Sequence, residues 1–347
     1  MYLFRLFARI TLFVVIATVL SGCRQPNPVV KIAGATMGTQ YHVSWIAANE
    51  GSDTQSQGIQ RDIDELLEKI NKSMSTYDNT SELSIINQVF KSDWQNISVD
   101  LYRVLMMAMQ VNTKSSGAFD VTVGPLVNLW GFGPVQSDYE APDDQLIQNV
   151  LKQIGADAIQ LRQRDESFQL KLKGSRYIDL SAIAKGYAVD AVGRYLDKQG
   201  IENYLIEIGG EIIAQGTKSE GRPWRIAIET PSDEYRSAEL IIPLNNLGLA
   251  TSGDYRNFFQ QNGRRYSHTL DGRTGYPVQH GLASVSVLHP SVAMADAWAT
   301  ALTVLGTKDG LALANEYDLA ALFIQRTETG FKQYSTRQFK QLSLDLN

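Results

Sequence analysis

Asp296 and Thr300 stand four apart in the run Ala295-Asp296-Ala297-Trp298-Ala299-Thr300. On a helix that spacing puts both side chains on one face. A carboxylate and a hydroxyl, completed by diphosphate oxygens and water, suit Mg²⁺, a hard cation that takes oxygen ligands. The same pair also fits a purely structural role. An Asp near a helix N-terminus complements the dipole, and a Thr bonds back to a carbonyl one turn away. A second stretch, Asp179-Leu180-Ser181-Ala182-Ile183-Ala184-Lys185-Gly186-Tyr187, reads as an extended segment running into a helix, with Ser181 as its cap. Such a junction offers free N–H groups and a positive dipole end to a phosphate. Lys185 adds a cation, and Asp179 can accept hydrogen bonds from a ribityl chain or a heterocycle. A capped amphipathic helix with a surface lysine would read the same way.

Two further stretches are less specific. In Ser267-His268-Thr269-Leu270-Asp271-Gly272-Arg273-Thr274-Gly275-Tyr276-Pro277, the Asp-Gly and Thr-Gly pairs are turn chemistry. His268 and Asp271 precede the turn, where they can face a site, and a histidine near neutral pKa can take a proton from a hydroxyl. A hairpin turn carrying a surface histidine is the plainer alternative. In Ser116-Gly117-Ala118-Phe119-Asp120-Val121-Thr122-Val123-Gly124-Pro125 the small residues let backbone approach a ligand. Phe119, Trp130 and Phe132 can flank a flat ring, or the segment can be a buried strand beside an aromatic core.

These residues need elements to position them. Gln40 to Ile46 alternates as a half-buried strand. Gly51 to Gly58 is polar and reads as a loop, and Ile59 to Met74 is helical, with Ile63, Leu66, Leu67 and Ile70 on one face. Helices follow at Ser81 to Asn87, Leu101 to Thr113, Leu146 to Ile154 and Ala184 to Gln199. Ala158 to Arg162 and Phe168 to Leu172 pair as a hairpin. Strands are expected at Asn203 to Ile208, Glu211 to Gln215, Trp224 to Glu229, Ala238 to Pro243, Leu247 to Thr251, Leu282 to Leu288 and Ala320 to Gln325. Val292 to Leu305 is a helix meeting Gly306, Leu311 to Glu316 is helical again, and the tail is polar. Antiparallel strands with segregated helices define an α+β fold.

The N-terminus adds an address. Arg5 and Arg9 precede the apolar run Ile10 to Leu20, about half the roughly 20 residues that span a membrane. It reads as the core of a secretory signal. Leu20-Ser21-Gly22-Cys23 resembles a bacterial lipoprotein processing site, with Cys23 as the lipid acceptor. Residues 1–22 are then signal, 23–35 a tether and 36–347 the folded domain. Cys23 is the only cysteine, which removes disulfides and thiolate metal clusters. A formal charge of −5 gives no electrostatic ground for nucleic-acid binding. No G-x-G-x-x-G, P-loop, G-x-S-x-G or H-E-x-x-H motif occurs, so Rossmann, P-loop, serine-hydrolase and zincin chemistry find no support.

The four chemical stretches resemble one family. Thr36-Met37-Gly38-Thr39, Ser75-Thr76-Tyr77, Ser81-Glu82-Leu83 with Asn87, Gly209-Gly210 and Thr251-Ser252-Gly253 extend the match from Thr36 to Gln325. The chain is similar throughout to the ApbE family of FAD:protein FMN transferases. The resemblance implies an α+β ApbE-type fold with an FAD cleft, contacted by Met37, Tyr77, Ala118, Phe119, Asp120, Asp179, Lys185 and Leu270. It implies Mg²⁺ held by Asp296, Thr300 and the backbone oxygen of Ala182. Family members often carry Asp where this chain has Ala299. The implied reaction moves FMN from FAD to a Thr or Ser hydroxyl of another protein through a phosphoester, with AMP leaving. His268 is the expected base, with Asp296 and Asp271 as rivals. The acceptor would carry a D-x-x-[ST]-G-A-[ST]-like motif, on a membrane redox subunit reached from the periplasmic side of a bacterial membrane. This chain's own Ser115-Ser116-Gly117-Ala118 ends in Phe119 and lacks the acceptor hydroxyl. An FAD pyrophosphatase and a non-catalytic flavin-binding lipoprotein are the alternatives.

Overall fold

The computed structural model describes residues 27–47, 53–133, 140–231, 238–253 and 258–345. The expected signal and Cys23 lie outside them. The frame is one eight-stranded sheet: β1 (Val29–Thr36), β2 (Thr39–Ile46), β3 (Tyr204–Ile208), β4 (Glu211–Gln215), β5 (Leu247–Gly253), β6 (Leu282–His289), β7 (Ala320–Thr327) and β8 (Gly330–Ser335). Every neighbouring pair is antiparallel, and spatial order equals chain order. The sheet is a meander whose long connections carry everything else.

Strand β1 corrects the expected tether boundary. Residues 29–35 belong to the sheet, paired in full register with β2 from Val29↔Ile46 to Thr36↔Thr39. Lys31, Gly34 and Ala35 hid it, since an edge strand needs only one buried face. The two-residue turn Met37-Gly38 has φ of 48° and 72°. That is the primed-turn geometry that matches strand twist.

The helices are α1 (Asp53–Met74), α2 (Glu82–Gln88), α3 (Val99–Lys114), α4 (Gly124–Leu129), α5 (Asp144–Leu151), α6 (Ala184–Lys198) and α7 (Val292–Glu316), of which α1, α2, α3, α6 and α7 pack in the main core over one face of the sheet. Helix α1 begins at Asp53, inside the stretch expected as loop; its polar first turns extend from the apolar stripe Ile59, Ile63, Leu67 and Ile70, which packs in the main core. Helix α7 is interrupted at Gly306 (φ 74°), where the sequence also broke. The tail is not merely polar: β8 closes the sheet, and α8 (Arg337–Asp345) seats Phe339 in a second core. That core lies on the other sheet face, where Leu322 and Ile324 of β7 meet the hairpin Trp224–Glu229/Ala238–Leu244. Covered on both sides, β6 is buried from Leu282 to Leu288.

A third, small cluster joins Leu126, Trp130, Ile147, Phe259 and Leu270. It ties α4 and α5 to two short hairpins, Phe258–Gln261/Arg264–Ser267 and Leu270–Asp271/Tyr276–Pro277. Ser116–Pro125 is turns rather than a buried strand. Asp120 explains this: its Oδ1 accepts from the Thr122 N–H and hydroxyl at 2.8 and 2.6 Å. Pro125 then opens α4.

Candidate active site

Between the main core and the third cluster lies a cleft of about 450 Å³. Its floor is built by the first turn of α6, the second turn of α7 and the β3–β4 turn. Gly186 lets the two helices touch: a Cβ there would collide with the Val292 carbonyl. Its N–H then donates to Asp296 Oδ2 at 3.3 Å. Beside it, Lys185 Nζ stands 3.3 Å from Glu211 Oε1. Gly209, at φ 60°, leaves room for the Lys185 stem, since a Cβ would come within 3.2 Å of its Cδ.

The floor is buried and charged. Asp296 is 6% exposed and Glu211 4% exposed. Burial pushes both carboxyls up; Lys185 opposes this, and Asp296 pushes Glu211 up further. For Lys185 burial works against the charge, but Asp296 and Glu211 outweigh it and hold the ammonium above its ordinary pKa. Glu211 Oε2 finds no hydrogen-bond partner among the described residues. Two carboxylates, one ammonium and an unsatisfied buried oxygen fit an oxygen-ligated cation together with a phosphate. Among the described residues no three His, Cys, Asp or Glu side chains gather as a metal cage. A site here would therefore draw on Asp296 and Thr300, which both line the cleft, and on substrate oxygens, as Mg²⁺ sites commonly do.

Several sequence expectations meet in this cleft. Tyr77, Ala118, Phe119, Asp120, Asp179, Ala182, Lys185, His268, Leu270, Asp296 and Thr300 all line it. Tyr77 stands at the rim, 69% exposed. Asp179 is fixed by its backbone N–H to Val121 O at 2.7 Å. Its Oδ1 accepts from the Ser181 N–H at 2.8 Å and from the Ser181 hydroxyl. Ser181 thus closes the turn with Asp179 and does not cap α6, whose N-cap is Ile183 with no side-chain bond. His268 faces Phe132 edge-on at 6.3 Å between centroids.

Other expectations do not. Met37, in the β1–β2 turn, is absent from the cleft lining and lines a separate hollow with Asp64, Leu67 and Asn71. Trp130 is buried in the third cluster, where Nε1 donates to Gly275 O at 2.9 Å, so it flanks no ring in the cleft. Asp271 is taken up by Arg273, through Nε and NH2 at 2.8 Å each. Asp296 is not a first-turn dipole partner; Ser291 caps α7 and the first turn holds no acid. Ala299 is fully buried in the main core and does not line the cleft, although it lies three residues from Asp296 and next to Thr300. Glu211 was missed altogether. Its signal is position: it shares a strand face with Ile213, so the sheet turns this carboxylate inward.

The fold that carries this cleft is shared with solved flavin transferases. The flavin transferase ApbE from Vibrio cholerae superposes with a TM-score of 0.83 at 42% identity, over 91% of this chain and 99% of that one. The apo flavinyl transferase ApbE from Pseudomonas stutzeri gives 0.84 at 35% identity, over 93% and 99%. The family model described as "ApbE family" matches residues 37–323. A Haemophilus influenzae protein, FAD:protein FMN transferase, is 43% identical over 95% of this chain and 96% of its own length. The chain belongs to the ApbE family.

Proposed function

We propose that the protein transfers FMN from FAD to a Thr or Ser hydroxyl of an acceptor protein, with Mg²⁺ and with release of AMP. The observation that carries this reading is the gathering of buried Asp296 and Glu211 with half-buried Lys185 and Thr300 on the floor of one cleft. Relatives matching nearly the whole chain act as FAD:protein FMN transferases. Asp296, Thr300 and the Ala182 carbonyl would hold the cation, which supplies charge neutralisation on diphosphate oxygens.

Lys185 meets a phosphate oxygen as the bridging bond lengthens, an interaction that strengthens as charge develops. Tyr77, Asp120, Asp179 and Leu270 orient the flavin nucleotide. His268 takes the proton of the acceptor hydroxyl. The hydroxyl oxygen bonds to the FMN-side phosphorus, the diphosphate bond breaks and AMP departs. Asp271, bound to Arg273, is unsuited to that proton.

Incubation with FAD, Mg²⁺ and a peptide ending Ser-Gly-Ala-Thr should add the mass of FMN to the peptide. The peptide ending Ser-Gly-Ala-Val should stay unlabelled. Free FMN and AMP without labelling would mark a pyrophosphatase, and unchanged FAD a binder. Lipidation at Cys23 places this activity on the periplasmic face of a bacterial membrane. Cys23→Ala should release soluble or uncleaved protein on fractionation; unchanged membrane retention would end that part of the reading.

A further inference from the structure

Among the described residues, exposed apolar side chains are unevenly spread. Tyr77, Ile85, Val89 and Phe90 fall in one stretch and are 69, 52, 49 and 46% exposed. Ile85 and Val89, four apart at the end of α2, share its outer face, while Leu83 and Ile86 point into the core. A group of exposed apolar side chains on a soluble fold marks a contact surface more often than chance.

The strip is tied to the cleft at two points. Tyr77 lines the rim. The Asn87 amide clamps the Ile178 backbone in both directions, donating to its carbonyl and accepting from its N–H at 2.8 Å each. The next residue, Asp179, lines the cleft. The end of α2 is therefore fastened to the cleft wall, and the exposed Val89 and Phe90 follow directly in the chain.

We propose that this strip docks the acceptor, through apolar side chains that flank the reactive hydroxyl. The inference rests on the transferase reading above. A hydroxyl that reaches the cleft floor must bring its chain over the rim. About 15 extended residues span some 50 Å, enough to lie across both cleft and strip.

Two peptides of that length separate the possibilities, both with a Ser-Gly-Ala-Thr core. One is flanked by Leu and Phe, the other by Ser and Gly. Wild-type protein should show a KM about tenfold lower for the apolar-flanked peptide, the scale of one apolar anchor at an interface. The triple variant Ile85→Ser/Val89→Ser/Phe90→Ser should lose that preference while keeping FAD affinity and kcat. Phe90→Ser alone should lose part of it and guards against misfolding of the triple variant. Equal KM for both peptides with wild type, or a preference that survives in the triple variant, overturns the proposal. So does loss of FAD affinity in step with KM. Vesicle binding by wild type but not by the variant, with no peptide preference, assigns the strip to a lipid surface and also overturns it. If neither peptide is labelled, the transferase reading falls and this inference with it.

Discussion

The two walls of the cleft are made differently. The floor and inner wall come from α6, α7 and the β3–β4 turn, elements of the main core, and they carry a half-buried ammonium and two buried carboxyl groups. The opposite wall comes from the third cluster, a few aromatic and aliphatic side chains holding two short hairpins. It contributes His268, Leu270 and Phe132. Charges that must not move when a diphosphate breaks are set in the largest core, where reorganisation is smallest. The wall that carries His268 rests on a small core that costs little to shift.

If that contrast is right, the largest effect should come from a charge added to the core behind the charged wall. Ala299 is fully buried in that core, so Ala299→Asp would bury a further carboxylate without a partner of its own. A stability loss of at least about 3 kcal/mol is expected, with no gain in Mg²⁺ affinity. Chemical denaturation and a metal titration check both; tighter Mg²⁺ in a stable variant would show that this helix face reaches the cleft. Next is Asp296→Asn, expected to slow transfer by about a hundredfold while FAD still binds. Raised Mg²⁺ should recover part of the rate. Superimposable curves of rate against Mg²⁺ for variant and wild type would place the reaction centre elsewhere.

On the small-core side, Trp130→Phe removes the donor to Gly275 O and leaves that carbonyl unpaired. We expect about 1–2 kcal/mol of lost stability, read by thermal melts. His268-dependent transfer should fall with little change in FAD affinity. An effect as large as that of Asp296→Asn would erase the contrast between the walls. The smallest effect concerns pH. Burial pushes Glu211 from 4.5 up to about 8, so the folded protein keeps a proton that the unfolded chain releases earlier. Its contribution is full below the unfolded value and is lost as pH rises through the folded one. The melting temperature of metal-free protein should therefore fall between about pH 4.5 and 8, and Glu211→Gln should flatten that fall by a few degrees. An identical slope in the variant would mean that Glu211 is ionised throughout.

The chemical residues of the charged wall were mostly legible, because they obey local rules. Asp296 and Thr300 announce themselves by helix spacing, and Lys185 by a strand-to-helix junction. Glu211 was not, since nothing local distinguishes an inward strand carboxylate from an outward one until the register with β3 is known. The same holds for Ala299: the sequence gives its distance from Thr300 but not which neighbour α7 turns it toward. For Trp130 the sequence left ring-flanking and aromatic core both open, and its indole hydrogen bond to Gly275 settles it in the core; Met37 sits in a hairpin turn beside a separate hollow. Edge strand β1 was hidden by Gly34 and Ala35, and β8 by its polar outer face.

The start of β1 at Val29 has a consequence for reach. With lipid on Cys23, only Arg24 to Pro28 separate the anchor from a strand fixed along the whole length of β2. Fully extended, such a leash measures about 17 Å, less than half what a tether running through residue 35 would allow. The enzyme would then patrol a thin layer just above the bilayer. Proteins whose hydroxyl lies within that layer would be modified, and identical motifs displayed farther out would be passed over, so leash length would sort substrates by altitude before any side chain reads their sequence.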